Sequence, residues 1–339
     1  MRSSIFVVSV MLAVTAIAQP SVGPGANRYA TDCYPGFDSE DEIVKPSKKE
    51  PKLFGWFWHR SPHEETAAEQ FAYCARLEAD REWSDACREY DLLVRQWPTA
   101  PEAPKAQRRL ADILLEQEQL TDEALAEYRY LVDFYSSDCD YREVAETMFR
   151  ACELFRQEGK TFCFMRFANT VDVRRAYEAL VLRAPGEPFV PGAMLTIAEL
   201  RVDEGKFEQA VEVYGNLRNL YPATVEARTA FHGEAKVRMM LIDEHGYNRD
   251  RVRDTIAFLR QAMAVDRAGQ YAEDYGKWLA QATTMLDDEA WGAAKFYDSK
   301  TRTRHSAINA YRNFIENHPS STHVGEAKAR LAELEGEGK

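Results

Sequence analysis

The sequence predicts an all-α fold: a right-handed α-solenoid of about six helix hairpins closed by a C-terminal capping helix. Three observations carry that prediction. One phrase of fixed internal spacing returns along the 339 residues, and a repeat decides the architecture before any local reading does. From Glu64 onward apolar residues recur three and four apart, with Pro and Gly between the segments, as in amphipathic helices separated by stops. No stretch alternates apolar and polar residues, so β content should be near zero.

The phrase is most complete at Phe207, Ala210, Tyr214 and Pro222. Near the front it reads Trp83, Ala86, Tyr90, Pro98, and near the end Ala307, Tyr311, Pro319, with Arg304 in the aromatic slot. Degraded copies run Val173, Tyr177, Pro185 and Ala124, Tyr128, Ser136. Each position has a packing reason. The alanine marks a close helix crossing, because small side chains let the axes approach. Cys74 meets Ala86 in this way, and Ala198 meets Ala210. The tyrosine fills the space above. The proline ends the helix, since it lacks an N–H and disfavours helix in the preceding residue.

In chain order, residues 1–18 read as a secretory signal peptide: Met1-Arg2, an apolar run from Ile5 to Ala16, and the small-x-small site Ala16-Ile17-Ala18. The run is shorter than the ~20 residues of a membrane span. Residues 19–63 are rich in Pro, Gly, Ser and charge and should be a disordered tether. The tether carries the run Leu53–Trp58. Its Trp56, Phe57 and Trp58 either plug the open end of the array or anchor a partner or membrane surface.

The helical repeat domain spans 64–335. Phe71, Cys74 and Leu77 pair with Ala86–Leu93 about the turn Asp80-Arg81. Leu110, Ala111 and Leu114 pair with Ala124, Tyr128 and Leu131. Met148, Ala151, Cys152 and Phe155 pair with Val173–Leu182 across an insertion at 159–167. That insertion holds Phe162, Phe164, Met165 and Phe167, which are either tucked onto the neighbouring repeat or exposed as a partner site. Ile197 and Ala198 face Ala210, Tyr214 and Leu217. Residues 226–264 form a pair with Tyr247-Asn248-Arg249-Asp250 in its turn. Tyr271–Tyr297 pairs with Ala307–Ile315. Pro319-Ser320-Ser321-Thr322 then supplies a stop and an N-cap before the capping helix, which runs to Leu334.

The formal charge is -12 and the pI about 5.2. That argues against nucleic acid, whose binders cluster Lys and Arg, and disfavours anionic lipid surfaces. The six cysteines show no Cys-x-x-Cys or zinc spacing. Cys74 and Cys152 read as small buried hydrophobes, with a Cys74–Cys87 bridge as the alternative for the first. The seven histidines include no His-Glu-x-x-His pair, and His318 and His323 read as surface groups beside a helix stop. No phosphate loop, nucleophile elbow or Ser/His/Asp set emerges. No catalytic, metal or cofactor site is therefore expected, and the chain is not read as an enzyme. Function should lie in protein contacts at 53–58, at 159–167 and on the concave first-helix faces.

Taken together, the phrase, the small crossing residues and the terminal proline resemble the tetratricopeptide (TPR) pattern. The spacing is 38 residues from Ala86 to Ala124 and 37 from Val173 to Ala210, slightly above the ~34 of that repeat. From about 64 to 335 the chain also resembles the BamD family of outer-membrane protein assembly. The likeness is strongest in Ala293-Ala294-Lys295-Phe296-Tyr297, then Ala307-x-x-x-Tyr311-x-x-Phe314-x-x-x-x-Pro319 and Ala327-x-x-x-Leu331. The opening repeat, Trp83 to Pro98, is similar too. The resemblance implies a periplasmic scaffold associated with the outer membrane. Its first repeats would receive nascent outer-membrane barrel segments, and its later repeats would dock on the barrel insertase. That family carries an acylated cysteine directly after the signal peptide. Here Gln19-Pro20 stand there, and the first cysteine is Cys33, preceded by Thr31-Asp32. Either the 53–58 aromatics replace part of the anchor or the protein is periplasmic and held by partners. The alternative function is a TPR adaptor of the cell envelope serving wall synthesis, the Tol-Pal system or secretion.

Overall fold

The computed structural model describes residues 36–37, 47, 61–158, 170–244, 248–266, 269–299 and 304–336. Among them are thirteen helices and no strand. They are α1 (Ala67–Ala79), α2 (Trp83–Gln96), α3 (Ala103–Glu116), α4 (Thr121–Tyr135), α5 (Tyr141–Glu158), α6 (Thr170–Arg183), α7 (Val190–Asp203), α8 (Phe207–Leu220), α9 (Val225–Glu244), α10 (Arg249–Val265), α11 (Ala272–Asp298), α12 (Arg304–Asn317) and α13 (Val324–Gly336). The order is six hairpins and a last helix, as the spacing predicts. The chain forms two compact units. One holds residues 38–193 and the other residues 34–37 with 194–339, so the boundary falls inside α7. The 53–58 aromatics and the 159–167 insertion lie outside the described residues.

In the first unit α1 through α6 pack in sequence, and α4 also meets α6. α1 starts where Thr66, in extended backbone, accepts the Glu69 N–H and donates its hydroxyl to the Glu69 carboxylate at 2.7 Å. The first bond is one half of a capping box; the Glu69 carboxylate returns to the Thr66 hydroxyl rather than to its main-chain N–H. The first two hairpin turns place Arg81 (φ 61°) and Gln119 (φ 54°) two residues before the next helix. Left-handed backbone costs a side-chain-bearing residue roughly 1–2 kcal/mol. The corresponding turn before α8 uses Gly205 (φ 72°), which avoids that cost. The prolines act after one more bond. The Trp97 N–H closes on the Leu93 carbonyl, Tyr221 on Leu217 and His318 on Phe314, each at 2.9 Å, and a proline follows each.

Cys74, Ala86, Tyr90 and Pro98 are buried. Cys74, Cys87, Cys139 and Cys152 are not in disulfides. Cys74 and Cys87 are therefore not bridged. Burial, with the Glu89 charge second, pushes the Cys74 thiol up to about 12, so it stays protonated and inert.

The phrase tyrosines do more than fill space. Tyr90 hydrogen-bonds Glu78 on α1, and Tyr128 donates to Asp112 on α3 at 2.7 Å. Tyr177 donates to Glu153 on α5 at 2.5 Å. In the second unit Tyr311 donates to Asp298 on α11 at 3.1 Å. Each acceptor also holds an arginine: Arg109 on Glu78 at 2.6 Å, Arg108 on Asp112 at 2.8 Å, Arg156 on Glu153 at 3.0 Å and Arg330 on Asp298 at 2.8 Å. Arg109 stands on α3 and Arg330 on α13, so these two triads tie a hairpin to the helix after it.

The triads predict an acid limit. Burial raises the Glu78 carboxyl, but bonds from Arg109 and Tyr90 outweigh it and hold it below its usual 4.5. Bonds from Arg330 hold Asp298 below its usual 3.8, against burial. A depressed folded value means stability that is present above the unfolded value and lost as pH falls through the folded one. We expect the Glu78→Gln variant to melt lower than the wild type at pH 7. The gap should narrow as pH falls below 4.5 and the wild-type carboxylate protonates, and parallel melts across pH 3–7 check it.

In the second unit α8 through α13 pack in sequence, and α9 also meets α11. Ala198, Ala210, Tyr214, Ala307 and Tyr311 are buried, whereas Pro222 and Pro319 are exposed and act only as stops. The α9–α10 turn is shorter than expected. Asn248 accepts from the N–H groups of Asp250 and Arg251, so Arg249 and Asp250 are already helical. His318 and His323 are not simple surface groups. His318 meets Asp287 at 2.7 Å and stacks near Phe314, and His323 lies 3.4 Å from Asp288 and stacks on Trp291. The consecutive aspartates of α11 thus hold the α12–α13 connection. Two residues of the expected tether are also seated in this unit. Phe37 is buried, and Gly36 (φ +85°) lies so close to α8 that a Cβ would stand 2.6 Å from the Gln209 carbonyl.

Candidate protein-binding groove

A helix inside a hairpin stack buries one stripe and leaves another to solvent. On α5 the buried stripe is Val144, Ala145, Met148, Ala151 and Cys152. The other stripe is Glu146, Phe149, Arg150, Glu153 and Leu154, spaced three and four apart on one face. It is not uniformly polar. Leu154 is 45% exposed and Phe149 half-buried.

Two adjoining depressions open over this stripe in the first unit. One, of about 430 Å³, is lined by Leu115 and Glu116 of α3 with Phe149, Arg150, Glu153 and Leu154 of α5. The other, of about 360 Å³, is lined by Glu143, Glu146, Thr147, Phe149 and Arg150 of α5 with Pro188 and Phe189. Phe149 and Arg150 are common to both. The Phe149 ring stacks on Phe189 at 4.9 Å and 9°, and meets Tyr177 edge-on at 6.4 Å. This aromatic floor is held from two sides. Arg150 donates to the Thr147 hydroxyl at 3.2 Å and is otherwise turned to solvent.

The rim is acidic but largely paired. Glu143 meets Arg108 at 3.1 Å, Glu146 meets Arg142 at 3.4 Å and Glu153 meets Arg156 at 3.0 Å. Such an arrangement can take apolar side chains on a rigid floor and polar or charged groups along the edge, as peptide grooves do. No group of His, Cys, Asp and Glu among the described residues could hold a metal ion. No helix among the described residues is long and apolar enough to cross a membrane.

The groove lies on first helices of the second and third hairpins, one of the three places the sequence pointed to. Trp56, Phe57, Trp58, Phe162, Phe164, Met165 and Phe167 all lie outside the described residues. Phe149, Leu154 and Phe189 were not singled out from sequence. The available signal was the pair Phe149 and Leu154, which sit off the Met148–Cys152 core stripe of their own helix.

A tetratricopeptide-repeat family model matches residues 193–224, the stretch in which the phrase is most complete. Over 149 residues the chain is 25% identical to the outer membrane protein assembly factor BamD of Rickettsia prowazekii. The match takes in 44% of this chain and 59% of that protein, little more than half its length. A tetratricopeptide repeat protein from Parabacteroides merdae superposes with a TM-score of 0.28 at 13% identity, over 79% of this chain and 98% of its own. The TPR domain of P58(IPK) gives 0.27 at 14% identity, over 79% and 78%. Superpositions this loose decide nothing about fold or function.

Proposed function

We propose that this protein is a non-enzymatic scaffold of the cell envelope that holds segments of other proteins, and that it serves outer-membrane β-barrel assembly. The observation that carries the reading is the floor of Leu115, Phe149, Leu154 and Phe189, left open on the first-helix face of the first unit. An unfolded barrel strand alternates apolar and polar side chains, so it presents an apolar edge to the floor and a polar edge to Arg150 and the rim. The repeat match, the likeness to BamD and the signal peptide expected at residues 1–18 support the same reading. The barrel insertase is the second proposed partner. The aromatics at 53–58 and 159–167 are proposed as further contacts, and association with the outer membrane runs through partners or the N-terminal segment.

A peptide copied from one strand of an outer-membrane barrel, titrated by fluorescence anisotropy, tests the groove. Leu154→Asp should weaken binding about tenfold, equivalent to ~1.4 kcal/mol, as expected for a charge placed on an apolar anchor. The melting temperature should not move, because Leu154 is outside the core. Equal affinity in the two proteins would remove the groove from the account.

A further inference from the structure

The second helices of the first unit are covered on a side where a two-layer hairpin stack should be wet. α2 buries the expected stripe, Ala86, Cys87, Glu89, Tyr90, Leu93 and Val94. α4 instead buries Tyr130, Leu131, Val132 and Asp133 in succession, and α6 buries every residue from Tyr177 to Arg183. Consecutive burial means packing on more than one face. The most demanding members are charged. Arg183 Nε lies 2.8 Å from Asp133 Oδ1 and Arg183 Nη2 lies 3.1 Å from Oδ2, with side chains 1% and 0% exposed.

One described residue of the N-terminal segment sits on that pair. The Ser47 N–H donates to Asp133 Oδ2 at 2.7 Å and its hydroxyl donates to the same oxygen at 2.8 Å. A carboxylate that accepts a main-chain N–H recognises extended chain whatever its sequence, and the hydroxyl bond adds a preference for Ser or Thr. Bonds to an ionised acceptor are the strong ones. Gly36, on the same segment, is independently seated on α8 in the other unit, and Phe37 beside it is buried.

We propose that the α4–α6 face around Asp133 and Arg183 is a docking site whose occupant is this chain's own N-terminal segment, pinned through Ser47. Ser47 is then a seated anchor point of the N-terminal segment. The site is distinct from the groove, since neither Ser47 nor Asp133 lines it. A partner that uses the α4–α6 face must first displace that anchor. The inference stands on the Ser47 contacts and does not depend on the proposed partners.

Trypsin reads the anchor directly, because Lys48 and Lys49 follow Ser47, while Lys45 is shielded by Pro46. Cleavage after Lys48 and Lys49 in the full chain is followed by mass spectrometry, with a synthetic peptide of residues 40–55 as the unpinned standard. Cleavage of a pinned segment must wait for local opening. Wild-type cleavage should be at least tenfold slower than that of the peptide. Ser47→Ala should speed it about tenfold, the loss of one charge-assisted bond, and Ser47→Thr should keep the wild-type rate. Wild-type cleavage as fast as the peptide, or protection that survives Ser47→Ala, would overturn the proposal. Protection that disappears on dilution would also overturn it, by assigning Ser47 to a second copy.

Discussion

Arg183→Met should cost the first unit about 3–5 kcal/mol, the penalty for leaving a buried charge without its partner. Asp133 has no exposed side-chain surface to fall back on, so water cannot take the place of the guanidinium. The two Ser47 donors on Oδ2 would stay in place, but hydrogen bonds from a neutral residue do not neutralise a carboxylate as the guanidinium does. The double variant Asp133→Leu/Arg183→Met should regain most of the loss, because an apolar pair of similar volume removes the charge as well as the bond. Urea unfolding followed by circular dichroism checks both. The two units call for a fit that allows two transitions. A loss below about 1 kcal/mol for Arg183→Met would mean that the pair is hydrated in solution, and the covered α4–α6 face would go with it.

The second large effect falls in the other unit. Gly233→Val should destabilise it by about 1–3 kcal/mol through overpacking. A Cβ on Gly233 would stand 2.6 Å from Tyr214 Cζ and 2.8 Å from Cε1, and Tyr214 is itself 4% exposed with little room to retreat. Gly276, inside α11, is the control. A Cβ there meets nothing within 4 Å, so Gly276→Ala should stabilise by up to about 1 kcal/mol, the ordinary gain of alanine over glycine in a helix. Opposite signs for two glycines, both inside helices, would show that contact with the phrase tyrosine decides the outcome. If Gly233→Val is also neutral or stabilising, Tyr214 is not fixed where the fold places it.

The hairpins were legible because their signals are short-range. Helix period, a small crossing residue and a stop proline recur at nearly fixed spacing, and each acts within one hairpin. The triads were not legible. Tyr128 reaches back 16 residues to Asp112, Tyr177 reaches 24 to Glu153 and Tyr311 reaches 13 to Asp298. A bond whose sequence separation changes with every hairpin leaves no periodic trace. The grip of Asp287 and Asp288 on His318 and His323 was hidden for the same reason, since which face of α11 meets the next turn is set by packing. The groove was half legible. First-helix faces were the expected place, but Phe149 looks like one more core aromatic until the neighbouring stripe proves to be full. Ser47 was the least legible. A Pro/Lys-rich stretch with no apolar period reads as unable to fold, and a single serine docking on a buried carboxylate cannot be seen from composition.

The central claim is that the first-helix groove holds segments of outer-membrane proteins on their way to the barrel insertase. Its most direct test is a photo-crosslinking residue placed at position 154 in living cells, with the captured proteins identified by mass spectrometry. The account predicts outer-membrane barrel proteins and the insertase among the products, reduced when Phe149 is also replaced by alanine. Capture confined to proteins of wall synthesis, the Tol-Pal system or secretion would contradict it and favour the envelope adaptor.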